Sequence, residues 1–352
     1  MDFTLPQHKN FIHTLNGKNT HLIVLKNRSG MQVAFTDYGA RIVSILVPDK
    51  NGNLRDVILG FGSIKEYLDA NEKFHGATIG RFANRIANGQ FSINDHLYTL
   101  LQNNGTNCLH GGRSGFHDKV WDRQVSFKKK VDFYLSSPDG EEGFPGNLRV
   151  SVSFELTEQN EILIKYRAIS DKDTILNLTN HAYFNLNGEG NGDILDHKLT
   201  IPSTHYIPIN NNQIPLGEEA PVEGTPFDFR NSKPIGQDIS NDNEQLAHGS
   251  GYDHTFVNSQ PFSKVAASAY SDESGIRLDV YTTEPGIQLY TGNFLSENDK
   301  GKSGYSYGSR KALCLETQHY PNSPNQPNFP SVILKADTSF SSQTTLRFSV
   351  NK

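Results

Sequence analysis

Short strand-like runs, each bounded by Gly, Pro, Asn or Asp, recur along most of this chain. Strands that follow one another at such short intervals are typical of β-sandwiches and β-barrels. Examples are residues 32–35, 41–47, 57–59, 91–93, 97–101 and 131–135. Residues 63–70 form the one convincing helical pattern, and so few helices disfavour the βαβ units of a parallel sheet. The sequence therefore predicts an all-β sandwich or barrel.

The chain shows no clear division into domains. All-β folds often exceed the usual size of a domain, so 352 residues do not require two of them. Residues 236–251 are polar and include Gly249-Ser250-Gly251, a composition that favours a long surface loop. We therefore expect a single domain over residues 1–352.

Charge and hydropathy exclude several classes of function. The formal net charge is −5 and the isoelectric point about 6.2, whereas a nucleic-acid-binding protein needs a basic face. The apolar runs are too short to span a bilayer, and the N-terminal residues lack the basic start and apolar stretch of a signal peptide. We expect no nucleic-acid partner, no membrane partner and a cytoplasmic location.

The two cysteines, Cys108 and Cys314, lie far apart in sequence. They form neither a disulfide framework nor a metal-binding motif, and we expect both to be buried thiols in a reducing compartment. No other group of residues has the spacing of metal ligands. The sequence therefore predicts no metal and no cofactor.

The most informative segment is ILNLTNHAYFNL, residues 175–186. Read as a strand, it places apolar side chains on one face and polar side chains on the other. The apolar face carries Leu176, Leu178, Ala182, Phe184 and Leu186, and the polar face carries Asn177, Thr179, His181, Tyr183 and Asn185. A face of Asn, His and Tyr suits hydrogen bonding to a neutral polyol in a cleft. On this segment alone, a structural His181 bonded to a backbone carbonyl is an equally good interpretation.

A lone carboxylate interrupts a second strand-like segment, residues 310–321. Alternation places Leu313, Leu315 and Thr317 on one face, and Ala312, Cys314, Glu316 and Gln318 on the other. A buried carboxylate is costly unless it is paired or functional, so Glu316 is a candidate site residue. The alternative is a structural glutamate held by hydrogen bonds.

A third segment, residues 284–294, places Gln288 and Tyr290 on the face opposite Ile287 and Leu289. Taken alone, this pattern is that of an ordinary strand with one polar, solvated face.

Three turn-like segments supply further polar candidates. Residues 80–86 hold two arginines, Arg81 and Arg85, around Asn84. His110 precedes a pair of glycines, which let a backbone approach a ligand closely. Asp253 follows the polar loop, where an aspartate caps a turn as readily as it binds a sugar.

Taken together, these segments resemble the galactose mutarotase (aldose 1-epimerase) family. The matching motifs are GRFANRI, NNGTNCLHGG, NLTNHAYFNL, GYDHTF, EPGIQLYTGNF and LCLETQHYPNSPN, which follow one another in that order between residues 80 and 325. A single motif of this kind would be weak, but the ordered set is specific and covers essentially the whole chain. One departure is Asn322, where the family often carries Asp, and it lies outside the catalytic set.

The resemblance implies a fold and a set of roles. The fold would be a large antiparallel β-sandwich, the galactose mutarotase-like supersandwich. Glu316 would be the general base, His181 the general acid and His110 the second histidine of the site. Asn84, Arg85, Asp253 and Gln288 match the sugar-binding positions. We further expect Asn84 and Arg85 to line the cleft, and Arg81 to serve structure.

The implied reaction is the interconversion of the α and β anomers of a free hexose such as galactose or glucose. A base removes the proton of the C1 hydroxyl while an acid protonates the ring oxygen O5, so that the C1–O5 bond opens. Each positioned group contributes about 10²–10⁴-fold, and neither a metal nor a cofactor is needed. We expect the carboxylate of Glu316 to keep His181 protonated at neutral pH. His110 and Arg85 would stabilise developing negative charge.

Three other functions share some of these sequence features. A non-catalytic carbohydrate-binding β-sandwich needs Asn, Asp and aromatic residues, but not a semi-buried Glu beside two histidines. A hexose-6-phosphate 1-epimerase needs a basic cluster, which the motifs lack. A glycoside hydrolase needs two carboxylates, for which Glu316 and Asp253 are the candidates. The preferred hexose, and the choice between monomer and homodimer, are left open.

Overall fold

The structure is a computed structural model that describes residues 3–126 and 129–350. Its strands form sheets of nine, five and four strands, together with several two-stranded pairs. Neighbouring strands in the three larger sheets run antiparallel. This arrangement confirms the predicted all-β, antiparallel sandwich.

The nine- and five-stranded sheets contain strands that are distant in sequence, whereas the four-stranded sheet consists of consecutive strands. The order across the nine-stranded sheet is Asp122–Ser126, Lys130–Ser137, Leu148–Leu156, Glu161–Ser170, Ser339–Val350, Ile276–Thr282, Ala267–Tyr270, Lys198–Thr200 and Lys233–Pro234. The five-stranded sheet has the order Ala220–Pro221, His205–Tyr206, Asp253–Val257, Gly286–Tyr290 and Cys314–Gln318. The four-stranded sheet has the order Leu22–Lys26, Gln32–Thr36, Arg41–Pro48 and Leu54–Asp56.

Shorter elements connect and extend these sheets. The two-stranded pairs are Thr14–Leu15 with Lys18–Asn19, Thr78–Ile79 with Thr179–Asn180, Arg85–Ile86 with Cys108–Leu109, Gln90–Ile93 with His96–Thr99, and Thr174–Ile175 with Ile333–Leu334. The α-helices in the described residues are Ile64–Asp69 and Glu244–Gly249. The 3₁₀ helices are His8–Phe11, Ala87–Gly89, Phe116–Asp118, Glu141–Gly143, Ile235–Gln237 and Ser323–Asn325. Across the described ranges, no helix has the length and hydropathy needed to cross a membrane.

Alternation of side chains along the strands builds the core. In Leu148–Leu156, every second residue is buried and the residues between them are more exposed. The buried residues of this strand are Leu148, Val150, Val152, Phe154 and Leu156. Because successive side chains point to opposite faces of a sheet, this strand presents a continuous apolar face to the interior.

One cluster of buried apolar side chains contains residues of all three larger sheets. It includes Phe154 from the nine-stranded sheet, Leu289 and Leu315 from the five-stranded sheet, and Phe35 from the four-stranded sheet. The three larger sheets therefore share one apolar core, and the single domain over residues 1–352 stays a prediction.

Two local predictions need correction. Residues 57–59 are not a regular strand, because Ile58 forms only an isolated bridge with Phe184. Residues 236–251 are not wholly a loop, because the helix Glu244–Gly249 begins there. The Asn243 side chain caps the first turn of that helix, and Leu246 is buried in the core.

Candidate active site

A cleft with a volume of about 320 Å³ brings most of the candidate residues together. This volume is near the lower end of the range for small-molecule sites, which suits a compact ligand. The residues that line it are Glu72, Phe74, Asn84, Arg85, Asn104, Leu109, His110, His181, Tyr183, Gln213, Asp253, Tyr290, Phe294 and Glu316. The cleft combines a row of polar groups with several aromatic side chains, as sugar-binding sites do.

Three neighbouring strands of the five-stranded sheet position the acidic end of this cleft. Glu316 pairs in register with Gln288, and Asp253 pairs with Tyr290 on the next strand. Leu315 lies in the core beside Glu316, so alternation turns the Glu316 side chain away from the core.

Glu316 and His181 face each other in the cleft. Oε1 of Glu316 lies 3.6 Å from Nε2 of His181, and the two residues are only 2% and 4% exposed. Among the described residues, Oε2 of Glu316 has no hydrogen-bond partner. The carboxyl group therefore presents an unsatisfied oxygen to a ligand.

Burial controls the charges of this pair. It lowers the pKa of His181 to about 3, and burial together with the nearby Asp253 raises the pKa of Glu316 well above its usual value. These shifts, both caused by burial in the cleft, oppose the expectation that Glu316 keeps His181 protonated at neutral pH. The Glu316 carboxylate and the His181 imidazolium would both lose their hydration in the cleft. Their contact of 3.6 Å is too long for a hydrogen bond that would offset this cost. Burial in the cleft therefore disfavours the ion pair of a Glu316 carboxylate and a His181 imidazolium.

His110 lies beside this pair, with its ring centroid 5.2 Å from that of His181. Its Nδ1 accepts a hydrogen bond of 3.1 Å from the backbone N–H of Asn84. Burial, His181 and Arg85 lower the pKa of His110 well below its usual value, so the ring is neutral. Because Nδ1 uses its lone pair to accept, the single proton of the ring is on Nε2.

His110, His181 and Glu316 each offer a ligand atom within 4.8 Å of the others, an arrangement worth testing as a metal site. A metal ion binds the lone pair of a neutral imidazole nitrogen. In His110, the lone pair of Nδ1 is engaged by Asn84, and Nε2 carries the proton. The three residues therefore do not fit a metal ion in this geometry.

Arg85 anchors a hydrogen-bond network in the cleft. Its Nε donates to Oδ1 of Asn104 at 3.1 Å, and its Nη2 donates to Oε1 of Gln213. Gln213 Nε2 in turn donates to Oδ2 of Asp253 at 3.0 Å. Arg85 itself lies 3.9 Å from Asp253, so the Gln213 carboxamide bridges the cation and the anion.

Gln288 lies behind this network. Its Nε2 donates to Oδ1 of Asp253 at 2.6 Å, and its Oε1 accepts from Thr255. Gln288 is 2% exposed and does not line the cleft. Its position is that of a residue that orients Asp253.

Arg81 and Arg85, four residues apart, have different surroundings. Arg81 is 2% exposed and donates to the carbonyl groups of Ser137, Pro138 and Pro145, each at 2.8 Å. Arg85 and Asn84 line the cleft instead. The Arg81 guanidinium thus connects its own segment to residues 137–145 and does not face the cleft.

The polar face predicted for residues 175–186 is only partly a ligand surface. His181 and Tyr183 line the cleft, whereas Asn177, Thr179 and Asn185 are fully buried. The Asn177 carboxamide donates to backbone carbonyl groups, as does that of Asn185. The regular strand here covers only Thr179–Asn180. The two asparagine carboxamides therefore supply hydrogen bonds to carbonyl groups of backbone outside regular strands.

Sequence reasoning missed Glu72, Phe74, Asn104, Gln213 and Phe294 as cleft residues. Asn104 stands in the motif NNGTNCLHGG, which was a usable signal. Gln213 lies on a loop at a left-handed φ of 59°, where no periodic pattern indicates a direction for the side chain. Burial raises the pKa of Glu72 to about 7, so this carboxyl is only partly ionised near neutral pH.

Comparison with known proteins gives concordant results. The family model described as aldose 1-epimerase matches residues 21–347. Galactose mutarotase from Sus scrofa is 43% identical over 321 residues, which cover 91% of this chain and 92% of that protein. Aldose 1-epimerase from Escherichia coli strain K12 is 40% identical over 337 residues, covering 95% and 96%.

Solved structures show the same similarity. The structure of galactose 1-epimerase from Lactobacillus acidophilus superposes with a TM-score of 0.85 and is 31% identical, covering 97% of each chain. A GalM/aldose epimerase homologue from C. elegans gives a TM-score of 0.88 at 30% identity, covering 95% of this chain and 100% of that one.

Proposed function

The chain belongs to the aldose 1-epimerase family, and we propose that its cleft interconverts the α and β anomers of a free hexose such as galactose or glucose. The observation that carries this proposal is the buried pair of Glu316 and His181, whose polar atoms face each other at 3.6 Å. The opening and closing of a hemiacetal ring use a general base and a general acid, and a carboxyl and an imidazole can supply these two roles.

Glu316 takes the proton of the C1 hydroxyl, and His181 gives a proton to the ring oxygen O5. The C1–O5 bond then breaks and leaves an open-chain aldehyde. Rotation about C1–C2 presents the other face of the carbonyl group, and the two proton transfers run in reverse to close the ring. The pair begins and ends with one proton in total, so no co-reactant is consumed.

Bound sugar changes the balance of charge within the pair. Burial disfavours both charged forms, because it raises the pKa of Glu316 and lowers that of His181. The hydroxyl groups of a hexose supply the hydrogen bonds that a carboxylate and an imidazolium need, and the proton moves to His181. Preorganised donors of this kind stabilise charge where water is excluded.

The remaining cleft residues divide between binding and stabilisation. Nε2–H of His110 is a donor for the oxygen that becomes anionic at C1. The network of Arg85, Gln213 and Asp253 offers both donors and acceptors to hydroxyl groups further along the ring. Aromatic side chains such as Tyr290 present apolar surface to the C–H groups of the sugar.

A hexose 6-phosphate is a poorer candidate substrate. In the described part of the chain, Arg85 is the only lysine or arginine that lines the cleft, and its guanidinium already donates to Asn104 and Gln213. A phosphate group would also meet Asp253. Recognition of phosphate normally uses cationic groups that are not already committed.

The two cysteines bear on the compartment. Cys108 and Cys314 are both free and buried, which is consistent with the cytoplasmic location that we propose.

The test is polarimetry of freshly dissolved α-D-galactose and α-D-glucose, with glucose 6-phosphate as a third substrate and Glu316→Gln as the matched control. We expect acceleration of the free hexoses that depends on Glu316, and little acceleration of the phosphate. A protein that binds galactose in calorimetry but does not change the rate of mutarotation would instead be a carbohydrate-binding module.

A further inference from the structure

Cys314 contacts the imidazole of His181 on the ring nitrogen that does not face Glu316. Its Sγ lies 3.5 Å from Nδ1 of His181, while Nε2 of the same ring lies 3.6 Å from Glu316. Cys314 is completely buried and stands two residues before Glu316 on the strand Cys314–Gln318. One strand therefore contacts both nitrogens of the ring, through a thiol and a carboxyl group.

The thiol is the partner that determines where the ring carries its proton. Burial and the Glu316 carboxyl raise the pKa of Cys314 well above its usual value, so the group is S–H and not thiolate. A neutral imidazole has one N–H and one lone pair. At 3.6 Å, Glu316 does not form a hydrogen bond with Nε2, so this contact does not select a tautomer.

The two possible tautomers differ in the quality of their contacts. A proton on Nδ1 would be shared between the weakly accepting sulfur and the backbone carbonyl group of His181, would leave the thiol proton without an acceptor on the ring, and would leave Nε2 with only a lone pair toward the cleft. A proton on Nε2 lets the thiol donate to Nδ1 and directs N–H at oxygen atoms in the cleft. The second arrangement gives both the thiol proton and the ring proton an acceptor.

We propose that Cys314 is a positioning residue that holds His181 in the tautomer whose Nε2–H faces the substrate. This inference rests on the proposed function, since it assigns a role to a group behind the acid. The same logic applies to His110, whose Nδ1 accepts from the Asn84 backbone and whose Nε2 carries the proton. Both cleft histidines then offer donors to the sugar, one fixed by an amide and the other by a thiol.

The thiol also suits the second state that His181 occupies during turnover. An imidazolium has N–H on both nitrogens, so Nδ1 then needs an acceptor. Sulfur accepts weakly as well as donating, and rotation of S–H about the Cβ–Sγ bond reverses the direction of the contact. An alanine at this position would remove the side-chain partner of Nδ1 from both forms.

Other charged and titratable groups surround His181 and must be considered in any pH profile. Glu316, His110, Tyr183 and Tyr290 face it within the cleft. Buried Arg41 acts from the core and lowers the pKa of His181 further. His75 and His117 also lie near enough for His181 to influence their pKa values. Substitution of Cys314 leaves all of these groups in place.

The test compares Cys314→Ala and Cys314→Ser with the wild-type enzyme, and uses Cys108→Ala as the matched control. Cys108 is equally buried, but it packs in a separate apolar cluster. Loss of one hydrogen bond predicts that Cys314→Ala lowers kcat about three- to ten-fold with KM little changed. Serine, whose hydroxyl also donates and accepts, should restore most of kcat, and Cys108→Ala should match the wild type.

Nitrogen-15 NMR of histidine side chains reads the tautomer without any assay of activity. We expect Nε2–H at His181 in the wild type and the serine variant, and a mixture of tautomers in the alanine variant. A wild-type spectrum with the proton on Nδ1 would overturn the inference, as would an alanine variant with an unchanged tautomer and kcat. Because the spectrum does not depend on turnover, it also separates this inference from a failure of the proposed reaction.

Discussion

Arg85→Lys should lower kcat/KM, whereas Arg81→Lys should lower the stability of the fold. Arg85 donates to Asn104 and Gln213 and has 9% of its side chain exposed. A lysine ammonium cannot reproduce a planar fork that reaches two acceptors and an anion at once. One hydrogen bond from a charged group contributes about 1.5–3 kcal/mol, which corresponds to roughly 10- to 150-fold in kcat/KM.

Arg81 should behave in the opposite way. Its guanidinium donates to three carbonyl groups and to the Ser137 hydroxyl, all remote from the cleft. Arg81→Lys leaves part of that buried set without a donor and should lower the free energy of unfolding by about 2–4 kcal/mol, with kcat/KM nearly unchanged.

Polarimetry at several hexose concentrations gives kcat/KM for both variants, and urea unfolding gives their stability. Equal losses of kcat/KM in the two variants would refute the assignment. So would an Arg85→Lys variant that retains wild-type kcat/KM while losing most of its stability.

Two further changes test the electrostatics and the binding network of the cleft. Asp253→Asn should move the alkaline limb of the kcat/KM profile to lower pH. The pair of Glu316 and His181 works with one proton, and the Asp253 charge raises the pKa of Glu316, so the pair should lose that proton at a lower pH once the charge is removed. An alkaline limb that stays in place or moves to higher pH would contradict this prediction. Gln213→Ala should raise KM several-fold with kcat nearly unchanged, because the carboxamide that bridges Arg85 and Asp253 is lost. Initial rates over a range of galactose concentrations measure both constants. A fall in kcat alone would count against a binding role for Gln213.

Local patterns in the sequence were sufficient for most of the strands and for singling out Glu316 as a candidate site residue. Leu148–Leu156 alternates as a half-buried strand must, and Glu316 stood out because its neighbours on the strand are apolar or small. The helix Ile64–Asp69 was also predictable, since the Ser63 side chain caps its first turn by accepting from the backbone N–H of Glu66. Each of these features depends on residues close in sequence.

Features that depend on contacts between distant segments could not be predicted in the same way. Gln213 accepts a hydrogen bond from Arg85, which lies 128 residues away in sequence. No local pattern around either residue predicts this contact. The uncharged state of His181 follows from the depth of its burial, which a motif does not reveal. Asn177 and Asn185 share the strand pattern of His181, yet they serve the backbone because the chain there departs from regular strand geometry.

The most direct test of the central claim is a double-mutant cycle on Glu316 and His181. It requires kcat, measured by polarimetry on α-D-galactose, for the wild type, Glu316→Gln, His181→Asn and the double variant. Each single substitution should lower kcat by about 10²–10⁴-fold, with a smaller effect on KM for His181→Asn. Because the two groups act in one coupled proton transfer, the double variant should lose far less than the product of the single losses. Multiplicative losses, or a Glu316→Gln variant close to the wild-type rate, would contradict the paired acid–base mechanism.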